Sequence, residues 1–438
     1  MSGSPGGHQF KARAGLLSVM ALIYASGCGG PYGTEDYVAQ TGPGLMILLL
    51  FVTPWLWGVP MALATAELAC RRPVEGGYYR WVREIFGEFC FQVGAWTIIA
   101  SLLDNALYPV LFGKALLYWF PGLEFWQQSL AAVGFVLVLT FVNYRGIQIV
   151  GATSIVLSLF LIAPLVWIVI AGFLNVRFNP LVPFRAPGID GLEGFGPGMA
   201  LAMWFYSGMS EISTAAEEIK RPERTIPLAL LLIVPIIVLS YTAPLIAGLA
   251  SVGDWQNWNS GHFAVIGEFL GGKALGTWAF LGSVAGFMVI FLAYMVWYSR
   301  LTWAMAEDRS LPRVLARLHP RYCTPYVSLL SYAAVYSVLV WIPFERLLVL
   351  DMWVTGAYCT AILALLVRLR SRSVERPAGF QVPGGKLGAW LVVLLPAATW
   401  IVVLLATARE DWVAGSAALL APTLIYAIIK RVRRSQSV

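Results

Sequence analysis

The stretch YASGCGGPYGTED, residues 24–36, interrupts an apolar segment that begins at Ala14. It places three glycines and a proline within five positions: Gly27, Gly29, Gly30 and Pro31. Glycine and proline are the residues that least favour a helix interior. In hydrocarbon, irregular backbone survives only where it is buried in protein or lines a cavity, because unpaired amides and carbonyls are costly there. If the chain lies in a bilayer, this stretch predicts a broken helix beside a cavity.

The composition places the chain in a membrane. Hydrophobic residues make up 59% of the 438 positions and charged residues 12%, whereas soluble domains carry about 25% charged residues. The 18 Trp and 18 Tyr suit a protein with two membrane interfaces. The five cysteines are scattered without a Cys-x-x-Cys pair, so we expect neither a zinc site nor a disulfide framework. No cofactor is expected.

Twelve segments are apolar and long enough to cross a bilayer, which takes about 20 residues. They are residues 14–40, 43–69, 88–118, 126–143, 147–174, 195–217, 227–250, 274–303, 325–342, 346–369, 387–407 and 412–430. The sequence therefore predicts an all-α integral membrane protein with 12 transmembrane helices, forming a single membrane domain over residues 1–438.

The basic residues test this count and give the orientation. With the N-terminus in the cytoplasm, all but six of the 30 Lys and Arg residues fall in cytoplasmic loops and tails. The six exceptions are Lys114, Arg177, Arg185, Lys273, Arg346 and Arg409. This bias follows the positive-inside rule, so we expect a plasma (inner) membrane protein with both termini cytoplasmic. Anionic lipids attract such residues, so the net charge of +7 requires no nucleic-acid partner.

A second interruption, Ser207-Gly208-Met209-Ser210, falls within the sixth predicted span. Breaks in the first and sixth spans occupy corresponding positions if ten spans form two five-helix halves of opposite topology. Residues 14–174 are then the first inverted repeat, residues 195–369 the second, and residues 387–430 two accessory helices. Such a pair of matched breaks indicates a transporter binding site at the repeat interface.

The breaks have a chemical consequence and a simpler alternative. Free amides at the amino ends of half-helices suit a carboxylate, and unwound carbonyls suit an ammonium group, so a zwitterionic amino acid fits both. The alternative is that the glycines only let helices approach closely, as small residues commonly do in membranes. Two breaks at matched positions, one of them with Pro31, favour a binding site.

Four spaced motifs resemble one transporter superfamily. They are ELACRRPVEGGYYRWVREIFG (67–87), EEIKRPERTIP (217–227), AMAEDRSLP (304–312) and RPAGFQVPGG (376–385). They resemble the signature loops of the amino acid, polyamine and organocation (APC) superfamily, whose LeuT-like fold is an inverted 5+5 helix repeat plus two extra helices. The runs SGCGGPYGTEDYV (26–38) and DNALYPVLF (104–112) are similar to the polyamine uptake branch of that superfamily.

The resemblance also implies site residues. Gly208 matches the glycine at the family's sixth-helix break, Trp204 an aromatic that covers the substrate, and Tyr294 an aromatic position of the eighth span. Ser210 stands where related carriers have an acid, and Glu211 follows one residue later. The resulting substrate site comprises Ser26, Gly27, Cys28, Gly29, Gly30, Asn105, Trp204, Tyr206, Ser207, Gly208, Ser210 and Tyr294.

Acids within the spans are the remaining candidates, because ionisable residues in a membrane are functional by default. Asp104 and Glu211 are predicted to carry a proton or to pair with a charge, and Glu67 to belong to an inner gate. Three further acids are expected near the watery outer ends of helices: Glu35, Asp36 and Asp351.

These observations predict a secondary active transporter, a permease and not an enzyme, that moves a small molecule by alternating access. We expect an amino acid as the substrate, with a polyamine or another cationic amine as the alternative. Proton coupling and exchange both stay open, as does the oligomeric state. A channel or a non-transporting membrane sensor is the alternative of a different class.

Overall fold

The computed structural model describes residues 15–71, 77–188, 191–208, 219–372 and 379–435. The regular structure of these ranges consists mainly of fifteen α-helices, numbered α1 to α15 in chain order. Their bounds are Leu16–Gly27, Glu35–Thr41, Pro43–Thr53, Val59–Arg71, Gly77–Phe86, Phe89–Ala115, Phe125–Tyr144, Ile147–Leu174, Gly191–Phe205, Pro222–Ser251, His262–Glu307, Tyr326–Leu339, Phe344–Arg372, Gly385–Ala406 and Arg409–Ser435.

Eight helical stretches within the described residues are long and apolar enough to cross a membrane. They are Pro43–Arg71, Phe89–Tyr118, Phe125–Tyr144, Ile149–Leu174, Pro222–Ser251, His262–Glu307, Phe344–Ser371 and Gly385–Ala406. Each coincides with a predicted span. The first, sixth, ninth and twelfth predicted spans also contain helices, α1, α9, α12 and α15, but these are not among the eight. The protein is therefore a multi-pass helical membrane protein, and the count of twelve crossings stays a prediction.

The first predicted span is interrupted where the glycines stand. Helix α1 ends at Gly27, residues 28–34 are not helical, and α2 begins at Glu35. Gly30 and Gly33 have φ angles of 86° and 98°, a left-handed region in which a side chain would be strained. The break predicted from residues 24–36 is therefore present.

Two other spans deviate from a regular helix without losing continuity. A π-helical turn, Pro54–Gly58, joins α3 to α4, so the second span continues through a proline that lacks an amide donor. Helix α11 bends at Gly271 and Gly272, whose backbone is not helical. The predicted eighth span, residues 274–303, begins directly after this bend.

Helix α6 lies at the centre of the molecule, packed against α11 and α13. On the other face of α11 lies α8, and α8 also packs against α10. The accessory helices α14 and α15 pack on α13, and α14 also contacts α9. Helix α1 packs against α10 and α11, so the position at which α1 is broken lies beside these two helices.

Candidate functional site

A small buried cavity lies where the two predicted breaks meet. It is lined by glycine, aromatic and aliphatic residues and one serine, from five helices and from both breaks: Gly27, Gly29, Gly30, Tyr32, Tyr108, Leu111, Trp204, Phe205, Ser207, Tyr241, Phe287, Ile290 and Tyr294. The centres of water-sized molecules have about 20 Å³ available to them, which is room for little more than one water molecule. The cavity is therefore closed in this conformation.

The first break contributes backbone to the cavity and fits closely against α11. The Gly27 carbonyl, left free by the end of α1, accepts a hydrogen bond from the Tyr241 hydroxyl at 2.8 Å. A Cβ on Gly29 would lie 2.6 Å from Cδ1 of Ile290, and a Cβ on Gly286 would overlap the Gly29 carbonyl oxygen. Glycine is therefore required at Gly286, where an added Cβ meets backbone, whereas at Gly29 it meets the flexible end of the Ile290 side chain.

The second break begins where α9 ends. Helix α9 stops at Phe205, Ser207 and Gly208 are not helical, and Gly208 has a φ angle of 77°. The Ser207 hydroxyl donates to the Met203 carbonyl at 2.9 Å and accepts from Nε1 of Trp57 at 3.2 Å. Ser210 and Glu211, predicted as a substrate ligand and as an acid for coupling, lie outside the described residues.

A buried acid supports the aromatic wall of the cavity. Asp104 on α6 accepts hydrogen bonds from Nε1 of Trp204 at 2.6 Å and from the Tyr298 hydroxyl at 2.9 Å. The Trp204 ring lies 5.2 Å from the Tyr108 ring, which lies 6.1 Å from the Tyr294 ring. Asp104 is only 8% exposed. It therefore fixes the orientation of a ring that faces the cavity.

A second buried acid, Asp351, lies on α13, which packs against α6. It is 1% exposed, and its Oδ1 accepts a hydrogen bond from the Thr355 hydroxyl at 2.9 Å. The two carboxylates are close enough to repel each other electrostatically. The prediction that Asp351 lies near a watery helix end was therefore wrong.

Among the described residues, no basic side chain pairs with either carboxylate. The ion pairs formed within the described part of the chain include neither Asp104 nor Asp351. A buried charge without a partner of opposite sign is unfavourable. The two acids together are therefore suited to a cation or to protons.

The structure brings only some of the predicted site residues together. Six of them line the cavity: Gly27, Gly29, Gly30, Trp204, Ser207 and Tyr294. Three others are buried beside it: Cys28, Asn105 and Tyr206. The Tyr206 hydroxyl donates to the Leu50 carbonyl at 2.8 Å, and Nδ2 of Asn105 contacts the Tyr336 hydroxyl at 3.3 Å. Ser26 is the last helical residue before Gly27, and its side chain is not described.

Several aromatic residues of the wall were not predicted: Tyr32, Phe205, Tyr241 and Phe287. Phe205 stacks on Tyr241 with ring centroids 4.4 Å apart. In the sequence, such residues cannot be distinguished from those that pack against lipid or core. Tyr32 lies within the first break and Phe205 directly before the second, so nearness to the breaks was the signal that could have identified these two. Tyr241 and Phe287 lie far from both breaks along the chain and gave no such signal.

Glu67 on α4 lies beside the carboxyl-terminal end of α13 and binds two arginines. It is fully buried and accepts from Nε of Arg71 at 2.9 Å, from Arg370 through two guanidinium nitrogens, and from the Val382 amide at 2.7 Å. These bonds join α4, α13 and the segment before α14. The role of Glu67 as an inner gate stays a prediction.

Replacing Glu67 with Gln is expected to lower the free energy of unfolding by roughly 3 kcal/mol, because it leaves two arginines facing an uncharged side chain. Arg71 and Arg370 keep some contact with water, so we take the lower end of the range for breaking a buried ion pair. Thermal unfolding in detergent measures the change. Glu410→Gln, at an exposed position of α15, is the control. Equal stability of the two variants would contradict the prediction.

A second ion cluster lies at the other end of the molecule, the predicted outer side. Lys114 on α6 donates to Asp36 at 2.7 Å and to Glu345 at 2.9 Å. Glu345 stands at the start of α13, and Arg370 near its end. Asp36 is therefore a partly exposed acid that forms an ion pair with Lys114. Glu35 is 1% exposed and accepts from the Gly33 amide at 2.6 Å, so its predicted watery position was wrong.

The described residues define a helical membrane protein whose buried cavity lies where α1 and α9 end. Residues 15–429 match the family described as amino acid permease. The chain belongs to this family, within the APC superfamily, and the resemblance noted in its motifs is confirmed.

Individual relatives cover most of the chain. It is 31% identical to the polyamine transporter RMV1 of Arabidopsis thaliana over 432 residues, 96% of this chain and 86% of the relative. It is 34% identical to the polyamine transporter PUT1 of Oryza sativa subsp. japonica, over 89% of this chain and 73% of the relative. The methylthioribose transporter of Bacillus subtilis (strain 168) is 25% identical over 89% of this chain and 90% of its own length.

Proposed function

We propose that this protein is a secondary active transporter of a polyamine or a similar organic dication. The observation that carries this proposal is the pair of buried acids, Asp104 and Asp351, beside the aromatic cavity. The names of two relatives with over 30% identity support a polyamine. This choice takes the alternative named from the sequence over the amino acid that was expected there.

The two substrate classes differ in the charge that they bring to the two buried acids. A polyamine carries ammonium groups and no carboxylate, so it neutralises the two acids without adding a negative charge. A zwitterionic amino acid neutralises one acid with its ammonium group but adds a carboxylate of its own, so two negative charges stay uncompensated, which is costly in a low-dielectric site. The rings of Tyr108, Trp204 and Tyr294 add cation–π attraction for an ammonium group. An amino acid is the second candidate, favoured by the description of the family.

The proposed architecture follows the sequence prediction. Residues 14–174 and 195–369 form the two inverted repeats, residues 387–430 the two accessory helices, and both termini lie in the cytoplasm of a cell whose plasma membrane holds the protein. Substrate binds between Gly29 and Ser207 and is covered by Trp204. Because the cavity has so little free space, α1 and α9 must move away from α6, α7 and α11 to admit the substrate.

Transport by purified protein in liposomes tests the proposed function. We expect saturable uptake of radiolabelled putrescine, competed by spermidine and not by alanine or arginine. Uptake of an amino acid without uptake of any amine would contradict the polyamine assignment. Sustained current far above carrier turnover would indicate a channel, and binding without uptake of any solute would indicate a sensor.

Gly208→Leu is expected to abolish putrescine uptake while the protein still inserts into the membrane. The φ angle of 77° at Gly208 is strained by about 1–3 kcal/mol for a residue with a side chain. The backbone of the second break must then change beside the cavity. Gly188→Leu is the control, because Gly188 has nearly the same φ angle, 78°, on an exposed turn. Uptake retained in Gly208→Leu would mean that this break serves only packing.

A further inference from the structure

The ammonium group of Lys114 occupies a site whose chemistry suits any primary amine. Asp36 and Glu345 accept from its Nζ at 2.7 and 2.9 Å. The Phe344 ring lies under it, with Nζ 5.6 Å from the ring centroid. Two carboxylates and an aromatic face are the groups that recognise an alkylammonium ion. Lys114 supplies one positive charge against two negative charges, so the site keeps an excess negative charge.

The site persists without the lysine, because Ser260 keeps Asp36 in place and Glu345 is partly exposed. Oδ1 of Asp36 accepts from the Ser260 amide at 2.9 Å, and Oδ2 accepts from the Ser260 hydroxyl at 2.6 Å. The side chain of Glu345 is 44% exposed and is therefore open to solution. Removal of Lys114 would leave Asp36 oriented by Ser260 and Glu345 accessible from outside.

A cavity adjoins the Lys114 ammonium group. It has about 130 Å³ available to the centres of water-sized molecules, enough for several waters and hence for a short methylene chain. Its lining includes Lys114, Phe344, Glu345, Gln128 and Ser129. Ser129 is 2% exposed, and its hydroxyl has no hydrogen-bond partner among the described residues. This buried hydroxyl at the cavity wall can accept a hydrogen bond from an ammonium group.

We infer that Asp36, Glu345 and Phe344 form an outer ammonium site, in which Lys114 takes the place of one ammonium group of the amine substrate. An arriving di- or polyamine displaces Lys114, and its methylene chain enters the cavity beside Ser129. Lys114 joins α2, α6 and α13 in the absence of substrate, so its displacement releases a link across the predicted outer end. This inference rests on the proposed polyamine function and extends it to the entry of the substrate.

The test measures binding of putrescine by isothermal titration to purified protein with and without the lysine. Lys114→Met removes the internal competitor, so the Kd for putrescine is expected to fall about tenfold, the equivalent of roughly one hydrogen bond to a charged group. Lys114→Arg keeps the charge and binds carboxylates bidentately, so the Kd is expected to rise. Lys273→Met, at an exposed position of α11, is the control and leaves the Kd unchanged.

Further variants distinguish failure of the outer site alone from failure of the proposed polyamine function. In the Asp104→Asn background, which disables the central site, Lys114→Met is expected to show saturable putrescine binding that Glu345→Gln removes. An unchanged Kd in both Lys114→Met and Lys114→Arg, with putrescine bound by the wild type, would overturn the outer site alone. If Lys114→Met does not fold, an unchanged Kd in Lys114→Arg would by itself overturn the outer site. A wild type that binds an amino acid and no amine would overturn the polyamine function and this inference with it.

Discussion

Replacing Asp104 with Asn is expected to reduce putrescine uptake about 100-fold. Loss of one partner of a buried, hydrogen-bonded charge pair costs roughly 2–5 kcal/mol, and 2.7 kcal/mol corresponds to 100-fold in affinity. Asn keeps the size of the side chain and can still accept from Nε1 of Trp204, so the aromatic wall stays in place. The effect then comes from the lost negative charge. Uptake and binding of putrescine in liposomes and in detergent measure it.

Two matched variants make this result specific. Asp351→Asn is expected to act in the same direction, because the Asp351 carboxylate is close enough to that of Asp104 to repel it electrostatically. Asp308→Asn removes an acid from a partly exposed pair with Arg83, where ion pairs contribute about 1 kcal/mol or less. Its uptake should match the wild type. Wild-type uptake in both Asp104→Asn and Asp351→Asn would mean that neither acid faces the substrate.

Gly286→Ala is the second prediction with a large expected effect. A single Cβ at Gly286 would overlap the carbonyl oxygen of Gly29, and backbone cannot move aside as a flexible side chain can. Overpacking of this kind costs about 1–3 kcal/mol, and here it falls on the break that lines the cavity. We expect at least about tenfold lower uptake, since 1.4 kcal/mol is tenfold in an equilibrium constant.

The control for this prediction lies on another helix. Gly134 on α7 has nothing within 4 Å of an added Cβ, so Gly134→Ala raises helix propensity without a clash. Its uptake and stability should equal or exceed those of the wild type. Equal uptake in Gly286→Ala and Gly134→Ala would show that α11 does not hold the first break in a functional position.

The sequence was most informative where the membrane restricts the conformations that the backbone can adopt. A glycine-rich run within an apolar span has to break in a protected place, and the break at Gly27 follows from that constraint alone. The matched break at Gly208 pointed to the same cavity. Trp204 and Tyr294 followed from the resemblance, and both line the cavity.

Tertiary placement was not available from the same information. Tyr206 lies just past the end of α9, and its hydroxyl donates to the Leu50 carbonyl, a contact between distant parts of the chain that the sequence did not reveal. Asp351 lies seven residues after Phe344, the first residue of α13, a position that the sequence could not place at a helix end or inside the molecule. The partners of Asp36 come from α6 and from the segment before α11, far away in the chain.

The most direct test is a structure of the protein determined with putrescine bound. We expect the amine to lie between Gly29 and Ser207, under the Trp204 ring. One of its ammonium groups should lie within hydrogen-bond distance of the Asp104 carboxylate. Putrescine bound away from this cavity, or an unbroken helix through Gly27 and Gly30, would contradict the account.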